Sequence, residues 1–387
     1  MAGQVVVHGT CDPRFDAVRE ALAQNFTTFG ETGAAVALTI AGRPVVDLWA
    51  GHLDVERLRP WQRDTIVNVF STTKGMTAIC AHRLVDQGKL DLEAPVSAYW
   101  PEFAAAGKER IPVHCLLSHR AGLAAVRTPL PPGSLYDWDL MTSALAAQAP
   151  WWEPGTKHGY HALTYGWLVG EVVRRVSGKS VGTYFRDEVA RPLDVDFHIG
   201  VPEADEPRVS PVIPPPPLSP EHLDAIAEVL KDPESMHAKS FINPPIVPEA
   251  ANTREWRAAE LPAANGHTNA RALARAYGVL ACGGTSNGTR LLSRESIERA
   301  TVVHSDGPDA LLPLHTRYGL GFALSTPYEK MGPNPRAFGH GGMGGSMAFA
   351  DPDAELGFGY VMNEMHSGLW IIDPRAVALI KAVYASL

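Results

Sequence analysis

The chain has 387 residues, 34 Lys and Arg against 42 Asp and Glu, and a net charge of −8, which argues against non-specific nucleic-acid binding. Apolar residues make up 45% and charged residues 20%, an ordinary balance for a water-soluble protein, and no apolar run reaches the roughly 18 residues that a membrane span needs. The length favours two lobes over one core.

The opening stretch, MAGQVVVHGTCDPRFDAVRE, has no basic segment, long apolar run or small-residue cleavage site. The expectation is a cytoplasmic protein. Cys11, Cys80, Cys115 and Cys282 are far apart and form no C-x-x-C pair, which suits free thiols in a reducing compartment.

Residues 14–29 place Phe15, Val18, Leu22 and Phe26 three to four apart, an amphipathic helix. Two apolar, β-rich runs then flank Ala41-Gly42-Arg43, a hairpin signal. NVFSTTKGMTAICAHRLVDQGKL follows, from Asn68 to Leu90. Extended Val69 and Phe70 lead into Ser71, and Met76, Ile79, Cys80, Leu84 and Val85 then repeat with helical spacing until Gly88.

From 92 to about 267 short helical patterns alternate with loops rich in Pro, Gly and Trp. Helices are predicted over Leu163–Val176 and Val181–Ala190, and VIPPPPLSPEH reads as an extended surface connection. Residues 268–282 form another helix pattern. The tail then alternates turns and strands, and IDPRAVALIKAVYASL closes as a helix. This order predicts an α+β fold: one antiparallel sheet built from 1–91 and 268–387 and flanked by terminal helices, with 92–267 inserted as a mostly helical lobe. The cleft between the two is the expected site.

Ser71 and Lys74 stand one helical turn apart and project together. At a helix start, free N–H groups and the helix dipole favour developing negative charge. A neutral lysine there can take a serine proton, provided that burial lowers its pKa. The plainer alternative is a serine N-cap beside a solvated lysine.

Three features further along bear on the choice. PGTKHGYHALTYGWLVGE puts Tyr160 in a turn before a helix, FGHGGMGGSMAFADP puts a glycine-rich strand near the end, and VHCLLSHRAGL lies at 113–123. In order and spacing these motifs resemble the serine β-lactamase and penicillin-binding-protein superfamily over most of the chain, in particular its class C-like branch and the family VIII carboxylesterases. That family carries S-x-x-K, then Y-x-N, then K-T-G. Here STTK matches the first, Tyr160-His161-Ala162 keeps only the tyrosine of the second, and His340-Gly341-Gly342 stands at the third.

The resemblance implies the β-lactamase-like fold, Ser71 as nucleophile, and Lys74 with Tyr160 as the coupled base and acid. It also implies an oxyanion hole from the backbone N–H groups of Ser71 and Met343. Which of Lys74 and Tyr160 takes the first proton stays open. His340, Gly341, Gly342, His161 and Trp152 are the expected substrate contacts. Trp138, Trp151, Phe241 and Trp256 could line the same pocket or simply pack. A histidine in place of the K-T-G lysine is a poor carboxylate anchor, and the missing asparagine removes an amide contact. Both changes turn the reading from β-lactams or cell-wall peptides toward a neutral small-molecule ester. The alternatives are an acyltransferase or amidase, a weak β-lactamase or D-peptidase, and a binding module without catalysis.

Other motifs read as structure. In GTSNG, Ser286 follows a helix and precedes a turn, which is the wrong context for a lipase serine. GHGGMG leads into a strand, so its glycines would let a substrate approach the backbone rather than bind a dinucleotide. His158 and His161 lack a third ligand, so no metal is expected, and no cofactor is implied. His119 reads as structural.

Overall fold

The computed structural model describes residues 5–215, 217, 220–245, 248–366 and 372–387. A nine-stranded antiparallel sheet joins the two ends of the chain. Its order is Val7–Cys11, Arg43–Gly51, Gly33–Ile40, Leu356–Met362, Met347–Asp351, Phe338–Gly341, Ala323–Leu324, His315–Tyr318 and Ser305–Pro308. Arg43–Gly51 and Leu356–Met362 thus flank Gly33–Ile40, so strands from the two ends of the chain pair directly.

Strand residues alternate between two cores. Ala34, Val36 and Leu38 face a cluster with Val18, Leu22, Leu379 and Val383, from the helices Asp16–Thr28 and Pro374–Tyr384. Ala35 and Ala37 face a second, larger cluster with Met76, Ile79, Leu273 and Ala276, from the helices Thr73–Asp86 and Ala270–Ala281. The small alanines on that side let the helices sit close. The helix Thr73–Asp86 is buried on nearly every side, so it is a central pillar and not a surface helix.

The hairpin at Ala41-Gly42 is present, with both residues at positive φ (47° and 71°) as a tight two-residue turn demands. The expected helices at 163–176 and 268–282 appear as Thr164–Ser177 and Ala270–Ala281. Ser286 ends the short strand Thr285–Ser286, paired with Thr289–Arg290, and the turn itself is Asn287-Gly288, with Asn287 at φ 50°. The proline-rich connection includes Pro216, Leu218 and Ser219, which lie outside the described residues, as does Ile371 before the last helix.

Two expectations need correction. The stretch 92–267 is not only helical: Phe197–Ile199, Val209–Ser210 and Gly266–Thr268 join Ile66–Asn68 in a second, four-stranded sheet. These strands are two or three residues long, too short to leave a periodic signal. Nor is Phe70 extended. It sits at φ 43°, in the left-handed region that a bulky residue enters only when its surroundings hold it there.

Candidate active site

Strand Ile66–Asn68 ends in a sharp turn before the helix Thr73–Asp86, and Ser71 rides on that turn. The turn is held at several points. Val69 N donates to Gly266 O at 2.8 Å, and Phe70 pairs with Asn265 in a single bridge. Thr73 Oγ1 donates to Phe70 O at 2.5 Å, while the Phe70 ring packs 6.5 Å from Trp256. A left-handed non-glycine residue costs about 1–3 kcal/mol, and these contacts offset it. Ser71 does not cap the helix. Thr72 occupies the cap position, and no side-chain cap hydrogen bond forms.

Lys74 is fully buried. Its Nζ lies 3.0 Å from Ser71 Oγ, 2.7 Å from Ala162 O and 2.9 Å from Ala263 O. It also stands 4.7 Å from the centre of the Tyr160 ring. No carboxylate is among these partners, and burial pushes the lysine well below its usual pKa. The Tyr160 phenol is raised by burial, partly opposed by hydrogen-bond contact with Ser71, so it holds its proton at neutral pH. Serine hydroxyl, lysine amine and tyrosine phenol therefore meet at one point, although 86 residues separate Lys74 from Tyr160.

Asp309 and His119 form the wall behind Tyr160. The buried Asp309 carboxylate accepts from Tyr160 N at 2.9 Å, from Leu311 N at 2.8 Å and from Leu312 N at 3.0 Å. Its other oxygen accepts from Thr316 Oγ1 at 2.9 Å. His119, at φ 60°, puts its ring 5.1 Å from Tyr160 and 4.6 Å from Tyr318. Sequence reasoning missed Asp309, because its bond to Tyr160 N spans 149 residues and leaves no motif. The His119 ring thus braces the tyrosine.

The third motif lies beside the serine turn. Strand Phe338–Gly341 leads into a tight turn, Gly342–Gly345, closed by Gly345 N to Gly342 O at 3.1 Å. Backbone N–H groups of Ser71 and Met343 have no hydrogen-bond partner among the described residues. The Met343 side chain is 59% exposed. Gly342 is needed for a different reason than expected: a Cβ there would stand 2.2 Å from Val69 O and 3.0 Å from Thr72 Oγ1. Its bare backbone lets this loop lie against the serine turn, so the fit is internal. His340 is buried, with its ring 6.2 Å from that of Tyr160 and Nδ1 donating to Gly341 O at 2.6 Å. Burial lowers its pKa to about 3, so it is neutral.

Two expected substrate contacts are corrected. His161 has Nδ1 on Gly159 O at 2.7 Å and Nε2 accepting from Leu123 N at 3.0 Å, which leaves no polar atom free. Trp152 is buried, gives its indole N–H to Lys157 O at 3.0 Å, and packs edge-on against His161. Both residues support the Tyr160 segment. Trp138 bonds Glu171 and lines a cavity of about 370 Å³ that contains none of Ser71, Lys74 and Tyr160. Trp151 stacks under Arg127, and Phe241 is exposed. Trp256 alone of these touches the serine turn, through Phe70. Among the described residues no three His, Cys, Asp or Glu side chains are grouped as a metal would need.

The beta-lactamase family model matches residues 22–382. The chain belongs to the beta-lactamase family. Among its relatives in that family is the esterase/beta-lactamase LipL of Mycobacterium tuberculosis, 40% identical over 371 residues, 95% of this chain and 85% of that one. A crystal structure of a family VIII carboxylesterase superposes with TM-score 0.91 at 43% identity, covering 99% of this chain and 100% of the other. A penicillin-binding-protein homologue from Caulobacter crescentus gives 0.89 at 41% identity, with the same coverage. The beta-lactamase fold accounts for the sheet built from both ends of the chain and the buried central helix together.

Proposed function

We propose that this protein is a serine hydrolase that cleaves neutral carboxylic esters through an acyl-serine intermediate. One observation carries the reading: Lys74 Nζ is held by two backbone carbonyls and has its third direction on Ser71 Oγ. A neutral amine has two N–H bonds and one lone pair. Ala162 O and Ala263 O use the N–H bonds, so the lone pair faces the serine proton. Similarity to proteins named as esterases and as a family VIII carboxylesterase supports the same conclusion.

In this reading Lys74 takes the proton as Ser71 Oγ attacks the ester carbon. Ser71 N–H and Met343 N–H receive the developing oxyanion. The intermediate collapses, the C–O bond to the alcohol breaks, and the alcohol leaves with a proton delivered through the Tyr160 phenol. Lys74, now charged, returns a proton to the phenol. Water then attacks the acyl group by the same route in reverse. The neutral His340 gives no cationic anchor, which favours uncharged substrates over β-lactams and carboxylate-bearing peptides. The site lies between a sheet unit, 1–91 with 268–387, and an inserted unit, 92–267. The free thiols suit a cytoplasmic setting. No helix of the described residues is long and apolar enough to cross a membrane.

Substitution of Ser71 by alanine is the test. Turnover of short p-nitrophenyl esters should vanish, and undiminished turnover would refute the assignment. Efficient hydrolysis of nitrocefin would instead favour a true β-lactamase; weak hydrolysis is expected, because ester and lactam acylation share the same groups.

A further inference from the structure

The glycine turn that carries Met343 is tied down on two sides. Toward the serine, Ser346 Oγ donates to Val69 O at 2.9 Å and lies 3.0 Å from Thr72 Oγ1. On the far side stands Arg375, from the first turn of the C-terminal helix Pro374–Tyr384, with its side chain fully buried. Its Nη2 donates to Gly344 O at 2.5 Å, and its Nη1 donates to Glu364 O at 2.9 Å. The Asp373 carboxylate holds the same guanidinium through Nε at 2.9 Å and Nη2 at 3.0 Å. Glu31 Oε1 flanks it at 3.6 Å.

A buried guanidinium carries a large desolvation cost, and buried ion pairs contribute little net stability against apolar packing. The notable feature here is where the fork is aimed. Gly344 sits at φ 86°, at the second corner of the turn that Gly345 N closes onto Gly342 O. Met343 is at the first corner. With the Gly344 carbonyl fixed, the two preceding peptide planes have little freedom, and the Met343 N–H keeps one direction. Gly344 O also accepts from His366 N at 3.1 Å, so the carbonyl is gripped by a charge and a backbone amide together.

We infer that Arg375 is a positioning residue for the oxyanion hole: it pins Gly344 O and so fixes the Met343 N–H toward the oxygen that becomes the oxyanion when Ser71 attacks. The inference rests on the reading of Ser71 and Met343 given above. Asp373 serves twice. It caps the C-terminal helix through its bond from Arg375 N, and it orients the guanidinium.

The test uses the full chain with Arg375→Met and Asp373→Asn, and Ser71→Ala alongside. Asparagine still caps the helix, so Asp373→Asn keeps the fold while loosening the fork. Steady-state kinetics on p-nitrophenyl acetate should show kcat down about 100-fold for Arg375→Met, on the scale of a lost oxyanion donor. For Asp373→Asn the drop should be roughly tenfold on the same scale. KM should stay within about threefold in both, because the ground-state ester barely uses the hole. Phosphonylation by a fluorophosphonate should slow in parallel, since its phosphoryl oxygen needs the same donors. Thermal melting identifies which variants fold. Arg375→Met decides the matter if it folds, and Asp373→Asn decides it if not. A folded deciding variant with kcat within twofold of the parent, or with a loss confined to KM, overturns the inference. Retained turnover in Ser71→Ala would mean that the reading of the site has failed, whatever the Arg375 variants do.

Discussion

Lys74 Nζ stands 3.0 Å from Ser71 Oγ with its two other hydrogen-bond directions on Ala162 O and Ala263 O. The two carbonyls come from segments 101 residues apart, so the fold aims the amine before any substrate arrives. In the proposed mechanism that aim makes the lysine the base.

Lys74→Arg is therefore expected to inactivate as fully as Lys74→Ala, by about 10³-fold in kcat, within the range for a lost general base. Arginine keeps the charge but offers no lone pair at working pH. Steady-state kinetics on p-nitrophenyl acetate checks this. An arginine variant within tenfold of the parent would assign Lys74 a purely electrostatic role.

Tyr160 is read as the proton donor to the departing alcohol. Tyr160→Phe should lower kcat on alkyl esters by on the order of 10²-fold. On p-nitrophenyl esters the loss should be much smaller, because that leaving group departs without a proton. Comparing the variant on an ethyl ester and a p-nitrophenyl ester of the same acid measures the difference. Equal losses on both would contradict the assignment.

Asp309 supports Tyr160 from behind by accepting from three backbone N–H groups and from Thr316. Asp309→Ala strands these buried donors and should cost on the order of 3 kcal/mol in unfolding free energy. It should also lower kcat, since the Tyr160 backbone loses its anchor. Urea unfolding and kinetics read the two effects. A variant with unchanged stability would show that the carboxylate is dispensable.

The buried histidines make a pH prediction. Burial lowers His82 and His161 to about 4, and His267 and His340 to about 3. In the unfolded chain each protonates near 6.5. Their contribution to stability is present above about pH 6.5 and is lost as pH falls toward 4, at about 1.4 kcal/mol per unit for each. Glu31 works the other way. Burial raises it to about 7, so its contribution is present below its unfolded pKa and fades as pH rises through 7. Four histidines outweigh one glutamate, so the urea midpoint should drop steadily between pH 7 and pH 5. A flat midpoint over that range would contradict the burial of these rings in the folded state.

Much of this was legible in the residues. The helix spacing after Ser71, the Ala41-Gly42 turn and the closing helix are local patterns, and each predicts its element. Ser71, Lys74 and Tyr160 sit in short motifs whose order along the chain points to a shared site. Gly342 carries a signal too, but a glycine needed for backbone contact looks the same in sequence as one needed for a ligand. His161 and Trp152 lie close to Tyr160 in sequence, and nothing local shows that their polar atoms are already taken. Asp309, Arg375 and the left-handed Phe70 act through contacts with distant backbone, and a carboxylate bonded to a main-chain amide leaves no mark on the sequence around it.

The most direct measurement is mass spectrometry of the folded protein after reaction with a fluorophosphonate, followed by peptide mapping. One phosphonyl group per chain, located on Ser71 and absent from the Lys74→Ala variant treated alike, is the predicted result. A modification on another residue, or a well-folded sample that stays unmodified, would contradict the account.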